Sequence, residues 1–202
     1  MVNRIFWDLG GVVLTNGWDR EARQRVAARF GLDRDHFEDR HEQVVADFET
    51  GRMDLDTYLE RTVLYESRAF SPAEFKAFMF AQSREDPAVL ELVRRLRAEG
   101  QVPLAVINNE SLELNLYRIE RFHLRECFAL FFSSCFVGIR KPDAGIYRLA
   151  LQVTQTPAEA GLLVDDRAIN VEAARRVGMQ TIHFRNLDQL RTCLGELGVH
   201  KP

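Results

Sequence analysis

The chain has 202 residues, of which 46% are hydrophobic and 28% are charged, and its formal net charge is −3. This size and composition are typical of one globular domain, or of a core domain with a modest insertion. The small negative charge gives no sign of a nucleic-acid or anionic-membrane surface, so we expect neither partner.

The cysteine pattern and the N-terminal segment favour a cytoplasmic location. The three cysteines are odd in number and lack C-x-x-C spacing, as is typical of reduced thiols. The N-terminal segment lacks the basic region and long apolar run of a signal peptide. No apolar stretch reaches the length that a transmembrane helix needs. We therefore expect a cytoplasmic chain without a membrane span.

The first predicted strand, residues 5–7, ends at a lone carboxylate, Asp8, which Gly10 and Gly11 follow closely. In an open α/β sheet, reactive groups lie just past the carboxyl ends of the strands. Two glycines let the backbone turn close to a bound ligand. Asp8 is therefore a candidate site residue, provided that later segments supply partners for it.

A helical insert is predicted next, because residues 17–85 carry almost no strand pattern. Its fourth helix begins at a capping box, Ser71 to Glu74. Trp18, Arg20 and Arg52 are weaker candidates for substrate contact. The predicted helices cover residues 19–30, 35–49, 54–65 and 71–82.

The rest of the chain predicts an α/β fold, with a Rossmann-like parallel sheet flanked by helices and interrupted after its first strand by the insert. Apolar runs alternate here with amphipathic helices, which is the pattern of a parallel sheet. The later predicted strands cover residues 102–107, 129–133, 161–164 and 180–184. The later predicted helices cover residues 87–99, 112–122, 143–154, 169–177 and 187–197.

Polar side chains lie at or just beyond the ends of four predicted strands. Because the carboxyl ends of parallel strands share one edge, we expect these side chains to converge on one crevice. Carboxylates hold hard cations such as Mg²⁺, and a lysine neutralises phosphate, which lets an anionic aspartate attack phosphorus. The side chains, in chain order, are Asp8, Asn108, Asn109, Glu110, Lys141, Asp165 and Asp166.

The order of these residues resembles the four motifs of the haloacid dehalogenase (HAD) superfamily. The most specific parts are the Lys-Pro-x-x-x-Ile-Tyr phrase at residues 141–147 and the run that begins Asp-Asp over residues 165–179. The insert is similar to the superfamily's C1-type cap. The resemblance covers essentially the whole chain and implies a core of residues 1–16 and 86–202, with a cap of residues 17–85.

The resemblance also implies a role for each motif residue. Asp8 resembles the nucleophile, and Lys141 resembles the catalytic lysine that bonds both nucleophile and phosphate. Asn170 is expected to hold the loop of the acid pair. The implied Mg²⁺ ligands are Asp8, the Gly10 carbonyl, Asp165 and Asp166. The implied phosphate-binding residues are Gly10, Asn108, Asn109 and Lys141.

Two positions depart from the family's pattern. Most family phosphatases carry a second aspartate where this chain has Gly10, and that acid/base contributes roughly 10²–10⁴-fold to the rate. Asn108 stands where serine or threonine is usual. We expect slow turnover, or a leaving group that needs little protonation, such as an anomeric, aryl or acyl-linked oxygen.

The sequence therefore predicts a Mg²⁺-dependent phosphatase of a small phosphorylated metabolite, of sugar-phosphate type, which forms an aspartyl-phosphate at Asp8. We expect a monomer or a homodimer. One alternative is a 2-haloacid dehalogenase, against which the acid pair argues because it would repel a carboxylate substrate. A second alternative is a phosphate-ligand-binding regulatory protein with little turnover. The departures from the family pattern at Gly10 and Asn108 are the reason to retain it.

The histidines fall outside every motif, and none has partners at metal-ligand spacing. We interpret all of them as structural or surface residues. They are His36, His41, His123, His183 and His200.

Overall fold

The structure, a computed structural model, describes residues 1–199. Residues 200–202, and with them His200 and the end of the predicted core, lie outside the described residues. Five strands form one sheet in the order β3-β2-β1-β4-β5, and every pairing is parallel. The strands are β1 Arg4–Trp7, β2 Leu104–Asn108, β3 Leu130–Ser133, β4 Gly161–Asp165 and β5 Gln180–His183. This sheet confirms the predicted α/β class.

The strand order reverses at β1, which lies at the centre of the sheet. From β1 the chain adds β2 and β3 on one side, and then returns to place β4 and β5 on the other. Phe6 pairs with Ala105 of β2 and with Leu163 of β4. In parallel sheets the crevice beyond such a reversal is where ligands bind. Asp8 follows β1 directly and so lies at this point.

Helices cover both faces of the sheet. Successive side chains of a strand point to opposite faces, so each face has apolar side chains that pack against helices. Trp7 packs in one hydrophobic cluster with residues of α5, α6, α7 and α11, and Phe6 packs in another with residues of α9 and α10. The helices outside the insert are α5 Pro87–Glu99, α6 Leu112–Arg121, α7 Leu124–Cys127, α8 Ser134–Val137, α9 Ala144–Val153, α10 Ala168–Arg176 and α11 Leu187–Glu196.

The insert is helical and has a hydrophobic cluster largely of its own, to which the core adds Leu114. Each of its helices begins at a side chain that accepts a backbone N–H, the arrangement that stabilises a helix start: Asp19, Asp33, Asp54 and Ser71. The helices are α1 Arg20–Phe30, α2 Arg34–Glu49, α3 Leu55–Thr62 and α4 Pro72–Phe80.

The structure differs from the predicted elements at a few boundaries. Strand β2 begins at Leu104, two residues later than predicted, because Pro103 has no N–H to add to the ladder and only accepts from Ile5. Helix α3 ends at Thr62 and not at residue 65. The four-residue helices α7 and α8 were not predicted, because one turn is too short to show a 3.6-residue period.

The insert rests on the core near the carboxyl edge of the sheet. The Ser134 hydroxyl donates to the Glu49 carbonyl at 2.6 Å, and the Leu55 N–H donates to Glu113 Oε1 at 2.9 Å. Gly51, at φ +71°, approaches the Cys135 carbonyl so closely that a Cβ there would overlap it. These contacts close one side of the crevice above Asp8.

Across residues 1–199, no helix combines the length and the apolar character that crossing a bilayer requires.

Candidate active site

Three charged side chains meet beyond the sheet: Asp8 follows β1, Asp165 ends β4, and Lys141 lies in the loop after α8. Lys141 Nζ lies 3.0 Å from Asp8 Oδ2 and 2.6 Å from Asp165 Oδ2. Lys141 is 2% exposed, Asp8 7% and Asp165 0%. Burial strengthens charge-assisted contacts of this kind, since little water screens them. The lysine therefore bridges the carboxylate that follows β1 and the carboxylate at the end of β4.

Asp165 has little capacity left for a ligand. Its Oδ1 accepts from the Arg167 N–H at 2.9 Å and from the Asn170 amide at 3.0 Å, and its Oδ2 is held by Lys141. Asn170, at the start of α10, thus holds the loop of the acid pair as expected from its position. Asp165 supports the site from below and does not line the open crevice.

Asp166 is the member of the acid pair with a free oxygen. Its Oδ1 is buried and has no hydrogen-bond partner among the described residues. Its Oδ2 occupies the space beside Gly11 (φ +74°) that a Cβ would fill, so only glycine permits this approach. Asp8, Asp165 and Asp166 each offer an oxygen within 4.8 Å of the others, and oxygen sets of this kind suit a hard cation.

The site carries more negative charge than its lysine balances. Burial raises the pKa of Asp8 to about 7, with Lys141 opposing the rise and Asp165 adding to it. Burial, followed by the charge of Asp165, likewise raises the pKa of Asp166. Burial alone would lower the pKa of Lys141, but the two aspartates outweigh it and raise that pKa. A bound cation would relieve this repulsion.

A cavity of about 740 Å³ opens over Asp8 between the core and the insert. Of the site residues predicted from the sequence, some line it and others lie behind its wall. Those that line it are Asp8, Gly10, Asn109, Lys141 and Asp166. Asn108 and Asp165 do not line it, and both are almost fully buried.

The two asparagines after β2 have different partners. The Asn109 amide forms two 2.8 Å hydrogen bonds to the Lys141 backbone, donating to its carbonyl and accepting from its N–H. This pair fixes the loop that carries the lysine. The Asn108 side-chain amide donates from Nδ2 to Asn115 Oδ1 at 3.1 Å, and Asn108 Oδ1 accepts from the Ser133 hydroxyl at 2.7 Å. A direct phosphate contact by Asn108 would need this side chain to turn.

Asn16 is a cavity residue that the sequence did not reveal. A Cβ on Gly10 would lie 2.9 Å from Asn16 Oδ1, and a Cβ on Gly11 would lie 3.2 Å from Asn16 Nδ2. The exposed Asn16 side chain therefore occupies the space beside Gly10 into which an acidic side chain would project. No motif marks Asn16, because it approaches the glycines only when the segment between β1 and α1 folds back over them.

A buried ion pair forms the inner wall of the cavity. Arg118 Nη1 lies 2.7 Å from Glu110 Oε2, and Arg118 also donates to the Thr15 carbonyl. Burial raises the pKa of Glu110 even though Arg118 opposes the rise. The pair connects the residues after β2 to the segment between β1 and α1. It therefore holds these two parts of the cavity wall together.

The insert contributes a stripe of α2 to the cavity. Trp18 and Arg20 line it as well, whereas the exposed Arg52 does not and pairs with Asp47 at 3.6 Å. His41 lines the cavity, which the sequence interpretation of the histidines did not foresee. The signal was available: His41, Val45 and Glu49 follow at intervals of four, which places them on one helix face.

Asp8 lies at the reversal point of a parallel sheet, in contact with a buried lysine and beside the acid pair of β4, and this arrangement is suited to a hydrolase. The family comparison agrees: residues 2–178 match the model of the haloacid dehalogenase-like hydrolases. The chain belongs to this family.

Curated relatives include several phosphatases. A flavin mononucleotide hydrolase of Arabidopsis thaliana is 28% identical over 88% of this chain and 71% of its own length. A sesquiterpene phosphatase of Aspergillus oryzae is 32% identical over 55% of each chain. A glyceraldehyde 3-phosphate phosphatase of Pyrococcus abyssi is 31% identical over 52% of this chain and 44% of its own. The matches to the last two thus span only about half of each relative.

Solved structures share the fold. A HAD-family enzyme of Bacteroides thetaiotaomicron, in complex with magnesium and inorganic phosphate, has a TM-score of 0.77 at 16% identity, covering 94% of this chain and 99% of its own. A predicted HAD-like hydrolase of Porphyromonas gingivalis has a TM-score of 0.79 at 20% identity over both whole chains. An L-2-haloacid dehalogenase has a TM-score of 0.64 at 18% identity, over 90% of this chain and 83% of its own.

Proposed function

We propose that this protein is a Mg²⁺-dependent phosphatase that acts through an aspartyl-phosphate on Asp8. The observation that carries the proposal is the buried contact of Asp8 with Lys141 beside two further carboxylates, at the floor of a large cavity. The phosphatase names among the curated relatives support the same reaction class. Residues 1–16 and 86–202 would form the catalytic core and residues 17–85 the cap.

The residues present fit a magnesium ion. Asp8, the Gly10 carbonyl and the free oxygen of Asp166 would hold it, while Asp165 would orient its neighbours from below. When bound, the ion would offset the negative charge of the carboxylates and of the phosphate. The complex of the Bacteroides enzyme with magnesium and phosphate is consistent with this assignment.

Lys141 would have two tasks in the reaction. Its ammonium already holds Asp8 Oδ2 at 3.0 Å, and it would also donate to a phosphate oxygen next to that carboxylate. Asn109 would act through it, because the Asn109 amide fixes the Lys141 backbone by two hydrogen bonds. A preorganised cation of this kind stabilises the charge of the transferring phosphoryl group without reorganisation.

The chemistry divides into two displacements. A carboxylate oxygen of Asp8 attacks phosphorus, the bond from phosphorus to the ester oxygen breaks, and the alcohol leaves with a proton from solvent or as its anion. Water then attacks the phosphorus of the aspartyl-phosphate, which releases inorganic phosphate and restores Asp8. Gly10 has no side chain to give or take these protons. Substrates with weakly basic leaving groups should therefore react best.

The cavity walls favour a polar substrate. Much of the lining that α2 supplies is polar, from Glu38 and His41 to Glu49, with Val45 as an apolar member. Among the reactions that the relatives' names describe, this lining suits a phosphorylated sugar or nucleotide better than a sesquiterpene phosphate. We propose a sugar-phosphate type of metabolite.

The test is release of inorganic phosphate from phenyl phosphate, glucose 1-phosphate, glyceraldehyde 3-phosphate and flavin mononucleotide, with Mg²⁺ or with EDTA. We expect metal-dependent release that falls at least ~10³-fold in Asp8→Asn. Asp47→Asn, which removes an exposed carboxylate outside the cavity, is the matched control. Release that survives both EDTA and Asp8→Asn would contradict the proposal. Metal-independent chloride release from 2-chloropropionate would indicate a dehalogenase.

A further inference from the structure

His41 lies on α2 of the insert and forms part of the cavity wall, although it is only 4% exposed. Its Nδ1 lies 2.9 Å from the hydroxyl of Tyr58 on α3. The imidazole is therefore oriented by a partner inside the insert, and this partner is not among the residues that line the cavity. The other ring nitrogen, Nε2, has no hydrogen-bond partner among residues 1–199.

The direction of the hydrogen bond between Tyr58 and His41 follows from a third residue. Trp18 Nε1 lies 2.9 Å from the Tyr58 hydroxyl, and an indole N–H can only donate. Tyr58 is fully buried, so its own proton needs an acceptor. The acceptor within reach is His41 Nδ1. The chain of donors therefore runs from Trp18 to Tyr58 to His41.

This chain of hydrogen bonds selects one tautomer of the imidazole. When Nδ1 accepts, a neutral imidazole carries its proton on Nε2. Burial keeps His41 neutral by lowering its pKa to about 3, and the positive charges of Arg23 and Arg140 add to this effect. Arg23 is itself fixed, since it bonds the Trp18 carbonyl at 2.6 Å and Glu38 at 2.8 Å.

We propose that His41 is a specificity residue, whose Nε2–H donates a hydrogen bond to an oxygen of the non-phosphate part of the substrate. The inference rests on the proposed function, because it assigns the substrate class of that same cavity. A neutral N–H donor recognises hydroxyl, ether or carbonyl oxygens and offers nothing to a hydrocarbon. A hydroxylated or carbonyl-bearing phosphate would satisfy it, whereas an isoprenoid phosphate would leave a buried donor unpaired.

The test compares phosphates that differ only in their oxygens. The pairs are inositol 1-phosphate with cyclohexyl phosphate, and glycerol 3-phosphate with propyl phosphate, each measured as a competitive inhibitor of phenyl phosphate hydrolysis. In the native protein, we expect at least one oxygenated member to bind about tenfold more tightly than its counterpart. In His41→Phe this preference should fall to about threefold or less.

His36→Phe is the matched control, because His36 lies on the same helix but outside the cavity. It should keep the native preference. Tyr58→Phe should reduce the preference, because Nδ1 loses the donor that holds the tautomer. The inference is overturned if neither pair shows a preference, or if His41→Phe retains it.

A second measurement separates this inference from the proposed reaction. Nitrogen-15 spectra of histidine-labelled protein at neutral pH report the tautomer directly, with no turnover needed. We expect the Nε2–H tautomer of His41 in the native protein and a mixture in Tyr58→Phe. A proton on Nδ1 in the native protein would overturn the inference even if phosphatase activity is found. If no phosphate is released, the proposed reaction fails, and direct binding of the paired phosphates still decides the role of His41.

Discussion

At position 10 the chain carries no side chain, and the adjacent space holds the amide of Asn16. An amide can hydrogen-bond an ester oxygen but cannot protonate it, so neither position 10 nor Asn16 supplies an acid for a leaving group. The Asn16 side chain is exposed, and apart from the chain neighbours of Gly10 its terminal oxygen is the one atom of the described residues closer than 3.7 Å to the position that a Cβ at residue 10 would take. Restoring a carboxyl group there is therefore sterically feasible.

We predict that Gly10→Asp narrows the preference for good leaving groups. The ratio of kcat/KM for phenyl phosphate to that for propyl phosphate should fall by about 10-fold or more, because the new acid assists only the poor leaving group appreciably. Gly10→Asn adds a similar volume without an acid and should leave the ratio near the native value. Equal ratios in Gly10→Asp and Gly10→Asn would contradict this account of the missing acid.

His41 should also affect how stability depends on pH. Burial lowers its pKa from an ordinary 6.5 to about 3 in the folded protein, and the positive charges of Arg23 and Arg140 add to this effect. Between these two values the unfolded chain binds a proton that the folded chain does not. The folded state therefore loses stability as the pH falls below about 6.5, by up to about 1.4 kcal/mol per pH unit.

The measurement is urea unfolding of the native protein and of His41→Phe at several pH values. From pH 7 to about pH 4.5 the native protein should lose about 2.5 kcal/mol more unfolding free energy than the variant. The comparison uses the change with pH, so a constant effect of the substitution on packing cancels. Parallel curves would show that folding does not lower the pKa of His41, which would contradict a neutral imidazole in the folded protein below about pH 6.5.

At the scale of elements, the turn after α2 contacts α8 beside the cavity. Glu49 ends α2 and lines the cavity, its carbonyl accepts from Ser134, and Arg140 Nη1 lies 3.3 Å from its Oε2. Gly51 follows two residues later and lies against the Cys135 carbonyl. A side chain at Gly51 would push this turn away from the core.

We predict that Gly51→Ala destabilises the protein by about 2–4 kcal/mol, the sum of the cost of a left-handed backbone and the cost of overpacking. Gly100→Ala is the matched control, since Gly100 has φ +64° but nothing within 4 Å of its would-be Cβ. It should cost only about 1–2 kcal/mol. Urea unfolding measures both. Equal losses would mean that the turn yields freely and does not fix the insert.

At the scale of the whole molecule, the fold was predictable because its signals are local. The helix from Pro87 to Glu99 begins at Asp86, with proline at its first position, and ends at Gly100, as the sequence indicated. Each apolar run formed a parallel strand, and the residues after the strands met at one edge. This convergence needs only the rule that parallel strands end on the same side.

What the sequence left open depends on contacts between distant segments. Asn108 was predicted to bind phosphate, but its amide is held by Asn115 and Ser133, partners that no local pattern specifies. Asn16 and His41 reach the cavity only because the linker and α2 fold back over the strand ends. Partner choice among buried polar groups is set by tertiary packing, which short motifs do not encode.

If Asp8 is the nucleophile, Gly10 makes its phosphorylation directly observable. Without an acid/base to activate water, the aspartyl-phosphate formed from phenyl phosphate should break down slowly and accumulate. We would acid-quench the reaction within its first turnover and map the phosphoryl group by peptide mass spectrometry. We expect a phosphoryl group on Asp8 in the native protein and none at this position in Asp8→Asn. Phosphate release with no phosphoryl group on Asp8, or with one on another residue, would contradict it.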